Sequence, residues 1–382
     1  MDRALSNIPI LQVLPSLVTG GVERGTIEIT QGVAEAGGGA LVTSAGGRLV
    51  AAVERAGGRH IELPLAERNP LAVWRNAGLL AAVIRREGVA IVHARSRAPA
   101  WSALLACRRT GAHFVTTYHG AYGEDLPLKR RYNSVMAMGE RVIVASRFVA
   151  GLIVQQHQTD AARIRIIPRG VDPATFDPQA VPPDRVARLA ETWQLPRGAP
   201  VVILPARLTG WKGQSVMIEA LARLSCRSAF CLLVGSDQGR QRYAASLMRQ
   251  AMAEGVADRL RLVGECDDMP AALLLADVVV HASTRPEAFG RVVIEAQAMG
   301  RPVIASDLGG PAETVVHGVT GWRFPPGDAS SLAAAIDTAL AMPIDQRAAL
   351  GCRARAAVLR GYTLRGMQQA TLAVYREVMG LA

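Results

Sequence analysis

Glu287 and Glu295 enclose seven residues in the run Arg285-Pro-Glu-Ala-Phe-Gly-Arg-Val-Val-Ile-Glu295. The spacing predicts one carboxylate in a loop after a strand over 278–281, and the other about two turns into a helix starting near Phe289. Phe289 and Gly290 would then offer free backbone N–H groups at a helix start, where anions are stabilised. Carboxylates for hydroxyls beside amides for phosphate suit a nucleotide sugar. A capped surface helix with two solvated glutamates has the same spacing, so the motif alone leaves both open.

Cations stand at a comparable place earlier in the chain. Arg207 and Lys212 follow a strand over 201–206 in Ala206-Arg-Leu-Thr-Gly-Trp-Lys-Gly213. An arginine fork and a lysine point charge at a strand's carboxyl end suit a diphosphate. The chain has 41 arginines and only two lysines, Lys129 and Lys212, so a lysine in a glycine-flanked loop stands out. Near the start, Gly20 and Gly21 lie between a strand and a helix and would let backbone approach phosphate; a plain glycine turn fits equally. The run is G-G-x-x-x-G with no acid closing the second strand, which disfavours a dinucleotide dehydrogenase. His119, just after a strand over 113–117, could donate to a substrate hydroxyl or phosphate, or shuttle a proton. Gly309-Gly310-Pro-Ala-Glu313 could add backbone donors, with Glu313 a helix-capping charge. The other histidines, His281 and His93 among them, read as structural or solvated. No metal-ligand spacing, P-loop or nucleophile elbow occurs, and Asp267-Asp268 is adjacent rather than Asp-x-Asp, so no metal and no cofactor are expected.

At 382 residues the chain exceeds what one hydrophobic core normally serves, which predicts two domains. Half its residues are apolar, as in an ordered soluble protein. Five cysteines without framework spacing suit a reducing compartment, and the segment 1–21 has no signal-peptide pattern. With no spanning apolar run, a cytoplasmic location is expected. The net charge of +11 is uneven: residues 1–170 hold 21 basic against 12 acidic side chains, residues 171–382 hold 22 against 20. A basic first half suits an anionic partner, although a merely solvated basic surface is as good an account. Aromatic residues are too few among these cations for single-stranded nucleic acid, so no nucleic acid is expected.

Strand-like and helical runs alternate from end to end, the pattern of a parallel α/β protein. Strands are predicted at 8–14, 40–43, 91–93, 113–117, 141–145 and 164–167, then at 201–206, 230–234, 260–263, 278–281 and 303–305. A proline-rich stretch separates the two series. This gives an α/β fold of two Rossmann-like doubly wound domains: residues 1–170, a linker over 171–198, and residues 199–362. Ligands of such sheets collect at the carboxyl ends of the strands, so a cleft between the domains is the expected site.

Taken together, Gly20-Gly21, His119, Arg207 with Lys212, Glu287-x7-Glu295 and Gly309-Gly310-x-x-Glu313 resemble, in order and spacing, the family-four retaining glycosyltransferases of the GT-B fold. The resemblance runs through Ile166-Ile-Pro-Arg-Gly-Val-Asp172 and on to Tyr375-Arg-Glu377. It implies donor binding by Gly20, Gly21, Phe289, Gly290, Arg291 and Glu295, with Glu295 on the ribose hydroxyls and Glu287 by the transferred sugar. It implies that Arg207 and Lys212 neutralise the leaving diphosphate without a metal, and that His119 sits near donor sugar and acceptor. A final helix over about 363–380 should pack back on the first domain. Gln297 and Gly310-Pro311-Ala312 depart from the family pattern, which bears on donor specificity. The implied partners are a nucleotide sugar and a cell-envelope saccharide or glycolipid acceptor, such as lipopolysaccharide core. Arg95, Arg97, Arg108, Arg109, Lys129, Arg130 and Arg131 would present a basic surface for peripheral contact with an anionic membrane, at the inner face of the plasma membrane. Two alternatives share these features: a nucleotide-sugar epimerase of the same fold, and a basic membrane- or nucleic-acid-binding protein with a degenerate donor site.

Overall fold

The computed structural model describes residues 5–67, 69–120, 122 and 127–381. It divides into two compact units, Met1–Arg169 with Leu364–Ala382, and Gly170–Thr363. Each is a doubly wound α/β domain, as the alternation of runs predicts.

The first unit carries β1 (Pro9–Val13), β2 (Gly39–Ser44), β3 (Arg59–Glu62), β4 (Ile91–Ala94), β5 (His113–Tyr118), β6 (Arg141–Val144) and β7 (Ile164–Ile166). They form one sheet in the order β3-β2-β1-β4-β5-β6-β7, with parallel pairing. The second unit carries β8 (Val201–Pro205), β9 (Phe230–Val234), β10 (Leu260–Gly264), β11 (Val278–His281), β12 (Val303–Ser306) and β13 (Trp322–Phe324), in the order β10-β9-β8-β11-β12-β13. Central strands such as Val278-Val-Val-His281 are buried throughout because helices cover both faces of a parallel sheet. In each sheet the winding reverses once, between β1 and β4 and between β8 and β11. A crevice opens at the carboxyl ends of such a pair, because the two following connections leave for opposite faces. The second-domain residues of interest follow β8 and β11.

The core of the second domain joins strand residues such as Val202, Leu204, Cys231 and Val280 to the helices Gln214–Arg223 and Ala329–Ala341. The core of the first domain is completed from far away in sequence. Met367, Val374 and Tyr375, on the helix Leu364–Val378, pack with Ile10, Ile29, Val33 and Val115. Gln368 Nε2 also donates to the Glu28 carbonyl at 2.8 Å, and Glu377 pairs with Arg141 and Arg165.

The proline-rich stretch is anchored rather than extended, and it groups with the second unit. Its helix Pro183–Thr192 is tied down by Arg185, whose guanidinium grips both oxygens of Asp268 at 2.8 and 2.5 Å. Asp177 accepts from Arg355 at 3.2 Å. All five cysteines are free thiols. No helix among the described residues is long and apolar enough to cross a membrane.

Candidate active site

The loop after β8 and the loop after β11 are joined before any side chain is considered. Thr284 N donates to the Trp211 carbonyl at 2.8 Å. Gly213 closes the first loop as the N-cap of Gln214–Arg223, at φ +78. A Cβ there would stand 1.9 Å from the Ala282 carbonyl oxygen, so only glycine lets the two loops come this close.

That approach brings Lys212 to Glu287. Lys212 Nζ lies 2.6 Å from Glu287 Oε1, and each side chain is only 14 % exposed. His281, the last residue of β11, points Nε2 at the same oxygen from 2.8 Å, and the Ser283 hydroxyl donates to it as well. Burial alone would push the Glu287 carboxyl up. The His281 and Lys212 partners overcome this and hold it well below the usual carboxylate range. Glu287 is therefore a fixed anion. All three partners converge on Oε1, and Oε2 has no hydrogen-bond partner among the described residues.

A third loop braces the carboxylate's backbone. Gly310 N donates to the Glu287 carbonyl at 2.9 Å. A Cβ on Gly310 would fall 2.2 Å from the Ala288 carbonyl oxygen. The Gly309-Gly310 pair thus serves close approach, and the Gly310 N–H is already engaged rather than open to phosphate.

Gly290 sits at φ +76 and delays the following helix, which spans Arg291–Ala298. Glu295 accordingly lies just over one turn into it, not two, and is buried with Arg291 Nε 3.6 Å from Oε1. Phe289 is buried, its ring 5.8 Å from that of Tyr362, so its accessible chemistry is its backbone. Arg207 is exposed, and its carbonyl accepts from Gln214 Nε2 at 2.9 Å. The departing residue Gln297 is buried and donates to the Thr320 carbonyl at 3.2 Å.

In the first domain Gly20, at φ +140, is the N-cap of Gly21–Glu35. The start of that helix already faces an acid: the Glu23 carboxylate lies 2.6 Å from where a Gly20 Cβ would be. His119 follows β5 and receives a hydrogen bond at Nδ1 from Arg169 Nη2. Arg95, expected on the basic surface, is instead buried behind β4.

The structure therefore gathers Lys212 and Glu287, joins Arg291 to Glu295 separately, and leaves Arg207 in solvent. Sequence reasoning missed His281, Ser283 and Arg169. His281 ends an apolar strand at the reversal point of the sheet, and that position was its one signal.

A fixed carboxylate with one open oxygen, beside an ammonium at a switch point, is the class of site that holds a polyhydroxylated, phosphorylated ligand. Two family models match: Glycosyltransferase Family 4 over residues 19–175 and Glycosyl transferases group 1 over residues 187–357. A glycosyltransferase from Rickettsia africae is 35 % identical with a TM-score of 0.91, covering 98 % of this chain and 100 % of that one. HepE of Anabaena, crystallised with UDP and glucose, is 25 % identical with a TM-score of 0.84, covering 97 % and 100 %. The D-inositol 3-phosphate glycosyltransferase of Xylanimonas cellulosilytica is 33 % identical over 230 residues, which are 59 % of this chain and 54 % of the relative. The chain spans about half the length of the curated relatives it matches. It belongs to the group 1, family 4 glycosyltransferases, of GT-B fold.

Proposed function

We propose that the chain moves a sugar from a nucleoside-diphosphate sugar to a saccharide or lipid-linked acceptor of the cell envelope, retaining anomeric configuration and needing no metal. The observation that carries this is the Lys212–Glu287–His281 cluster at the β8/β11 switch point. The UDP and glucose of HepE support such a donor.

In this scheme Glu287 Oε2 accepts from a hydroxyl of the transferred sugar, and buried Glu295 accepts from the ribose. Lys212 keeps N–H donors beyond the one on Glu287, and with Arg207 it neutralises the departing diphosphate. The amides of Gly290 and Arg291 at the helix start add donors to the phosphates. The bond from the anomeric carbon to the diphosphate oxygen breaks as the acceptor hydroxyl attacks from the same face. Its proton passes to the leaving phosphate oxygen. Gly20 and Gly21 are further proposed donor-binding residues.

A thermal-shift panel of nucleoside diphosphates and nucleotide sugars tests the donor. At about 100 times Kd, binding adds about 2.7 kcal/mol, enough to raise Tm by about 5 °C. Transfer of radiolabelled sugar from the binding donor to envelope glycolipid, lipopolysaccharide core included, tests the reaction. No Tm rise with any nucleotide sugar would end the proposal. Conversion of donor into another nucleotide sugar without acceptor would replace transfer by epimerisation.

The acceptor proposal extends to a cytoplasmic location with peripheral membrane contact. Leu71, Trp74 and Leu128 are exposed on the first domain, with Arg109 over the Trp74 ring at 5.7 Å and Lys129 to Arg131 following Leu128. Apolar side chains among cations suit an anionic interface. Anionic vesicles should co-sediment the protein at low salt and release it at high salt. Equal binding to neutral vesicles would refute this.

A further inference from the structure

At the carboxyl ends of β4, β5 and β7 the first domain stacks two histidines and two arginines. His93 in β4 is fully buried, with Nδ1 2.6 Å from the Tyr375 hydroxyl and Nε2 2.6 Å from Thr117 Oγ1. Arg95, two residues on, is 2 % exposed, and its Nε and Nη2 have no hydrogen-bond partner among the described residues. Arg169 follows β7 and donates from Nη2 to His119 Nδ1. Gly25 on the helix Gly21–Glu35 makes room for this group. A Cβ there would stand 2.7 Å from Arg169 Nη1 and 2.9 Å from Arg95 Nη2.

A guanidinium has only donors, so the nitrogen that receives it must be the lone-pair nitrogen of the ring. The ring proton of His119 is therefore on Nε2. That atom is buried and has no partner among the described residues. A buried donor left unanswered costs about 1–3 kcal/mol, so it marks a place where a ligand oxygen belongs.

We propose that Arg169, backed by Arg95, fixes His119 as a neutral imidazole whose Nε2–H is presented to a ligand oxygen. His119 then orients substrate and does not move its proton; Arg169 is a positioning residue. This rests on the sugar-transfer proposal for the identity of the oxygen, but not for the state of the ring. The described surroundings agree. Burial, then Arg169, Arg95 and His93, push the His119 pKa well below its ordinary value. Tyr375 bonds to His93, and Glu28 acts on Arg95. Tyr122, on the same connection, is itself held neutral by burial.

The test is long-range 1H–15N spectroscopy of the full chain labelled with 15N-histidine, with His119→Gln identifying the resonance. In the wild type Nδ1 should stay bare and Nε2 protonated from about pH 8 to about pH 5.5, across the ordinary histidine range. Arg169→Met should release the ring into mixed tautomers or bring its titration into that range, and Arg169→Lys should restore the wild-type pattern. A wild-type His119 that titrates there, or carries its proton on Nδ1, overturns the inference, as does an Arg169→Met spectrum identical to wild type. Because the wild-type spectrum needs no substrate, absence of transfer with every donor would sink the functional proposal without touching this one.

Discussion

Glu287→Gln is expected to lower sugar transfer by at least about 100-fold, the range typical of losing one preorganised electrostatic contact at a reacting centre. Nucleoside diphosphate binding, measured by calorimetry, should change little, because the amide keeps the side chain's shape and Lys212 remains. The same substitution has a stability signature. It leaves the Lys212 ammonium, only 14 % exposed, beside His281 without its anion, so unfolding free energy should fall by about 3 kcal/mol at pH 7. The sign with pH follows from the direction of the shift. The folded carboxyl lies below its ordinary value of 4.5, so its contribution is present above that pH and is lost as pH falls toward the folded value. The gap between wild type and Glu287→Gln in urea melts should therefore be widest near neutrality and narrow progressively as pH falls below about 4.5. A gap that widens in acid, or a variant with wild-type turnover, would remove Glu287 from the role assigned to it.

Gly213→Ala should be comparably damaging although the side chain gained is one methyl group. The position combines φ +78 with a carbonyl oxygen 1.9 Å from the new Cβ. A left-handed conformation costs an ordinary residue about 1–2 kcal/mol, and a backbone clash adds about 1–3 kcal/mol more. Moving the Ala282 carbonyl to make room would pull the β11 loop from the β8 loop, and with it Glu287 from Lys212. Loss of both stability and transfer is expected. Gly210, three residues earlier, is the control: nothing lies within 4 Å of its Cβ position, so Gly210→Ala should stay within about 0.5 kcal/mol of wild type. If the two variants melt alike, the close approach of the loops does not carry the site.

The strands that position the site were legible because they are apolar runs between helices. β3 was not: Arg59-His-Ile-Glu62 lies at the sheet edge, pairs only with β2, and has no buried face to impose alternation. β13 has three residues, too few for a period. Lys212 and Glu287 could be picked out as glycine-flanked polar residues after strands. Their pairing could not, since Lys212 and Glu287 are 75 positions apart and meet through the close approach that Gly213 permits. Arg95 looked like surface charge beside Arg97, and only the packing of the helix Gly21–Glu35 shows it buried. Arg169 and His119 are 50 residues apart and meet because β5, β6 and β7 lie side by side.

The helix Leu364–Val378 also sets an order of assembly. During synthesis the second domain, Gly170–Thr363, has all its own residues before that helix emerges from the ribosome. The first domain, begun earlier, waits with an open core until Met367, Val374 and Tyr375 arrive. Translation thus finishes the domain that started second before the one that started first, reversing the usual amino-to-carboxyl sequence of folding. Leu5 and Ile8 share one hydrophobic interior with Val374, Val378 and Met379, so a ribosome stalling before that helix would release a chain with a finished second domain and an unsealed first one.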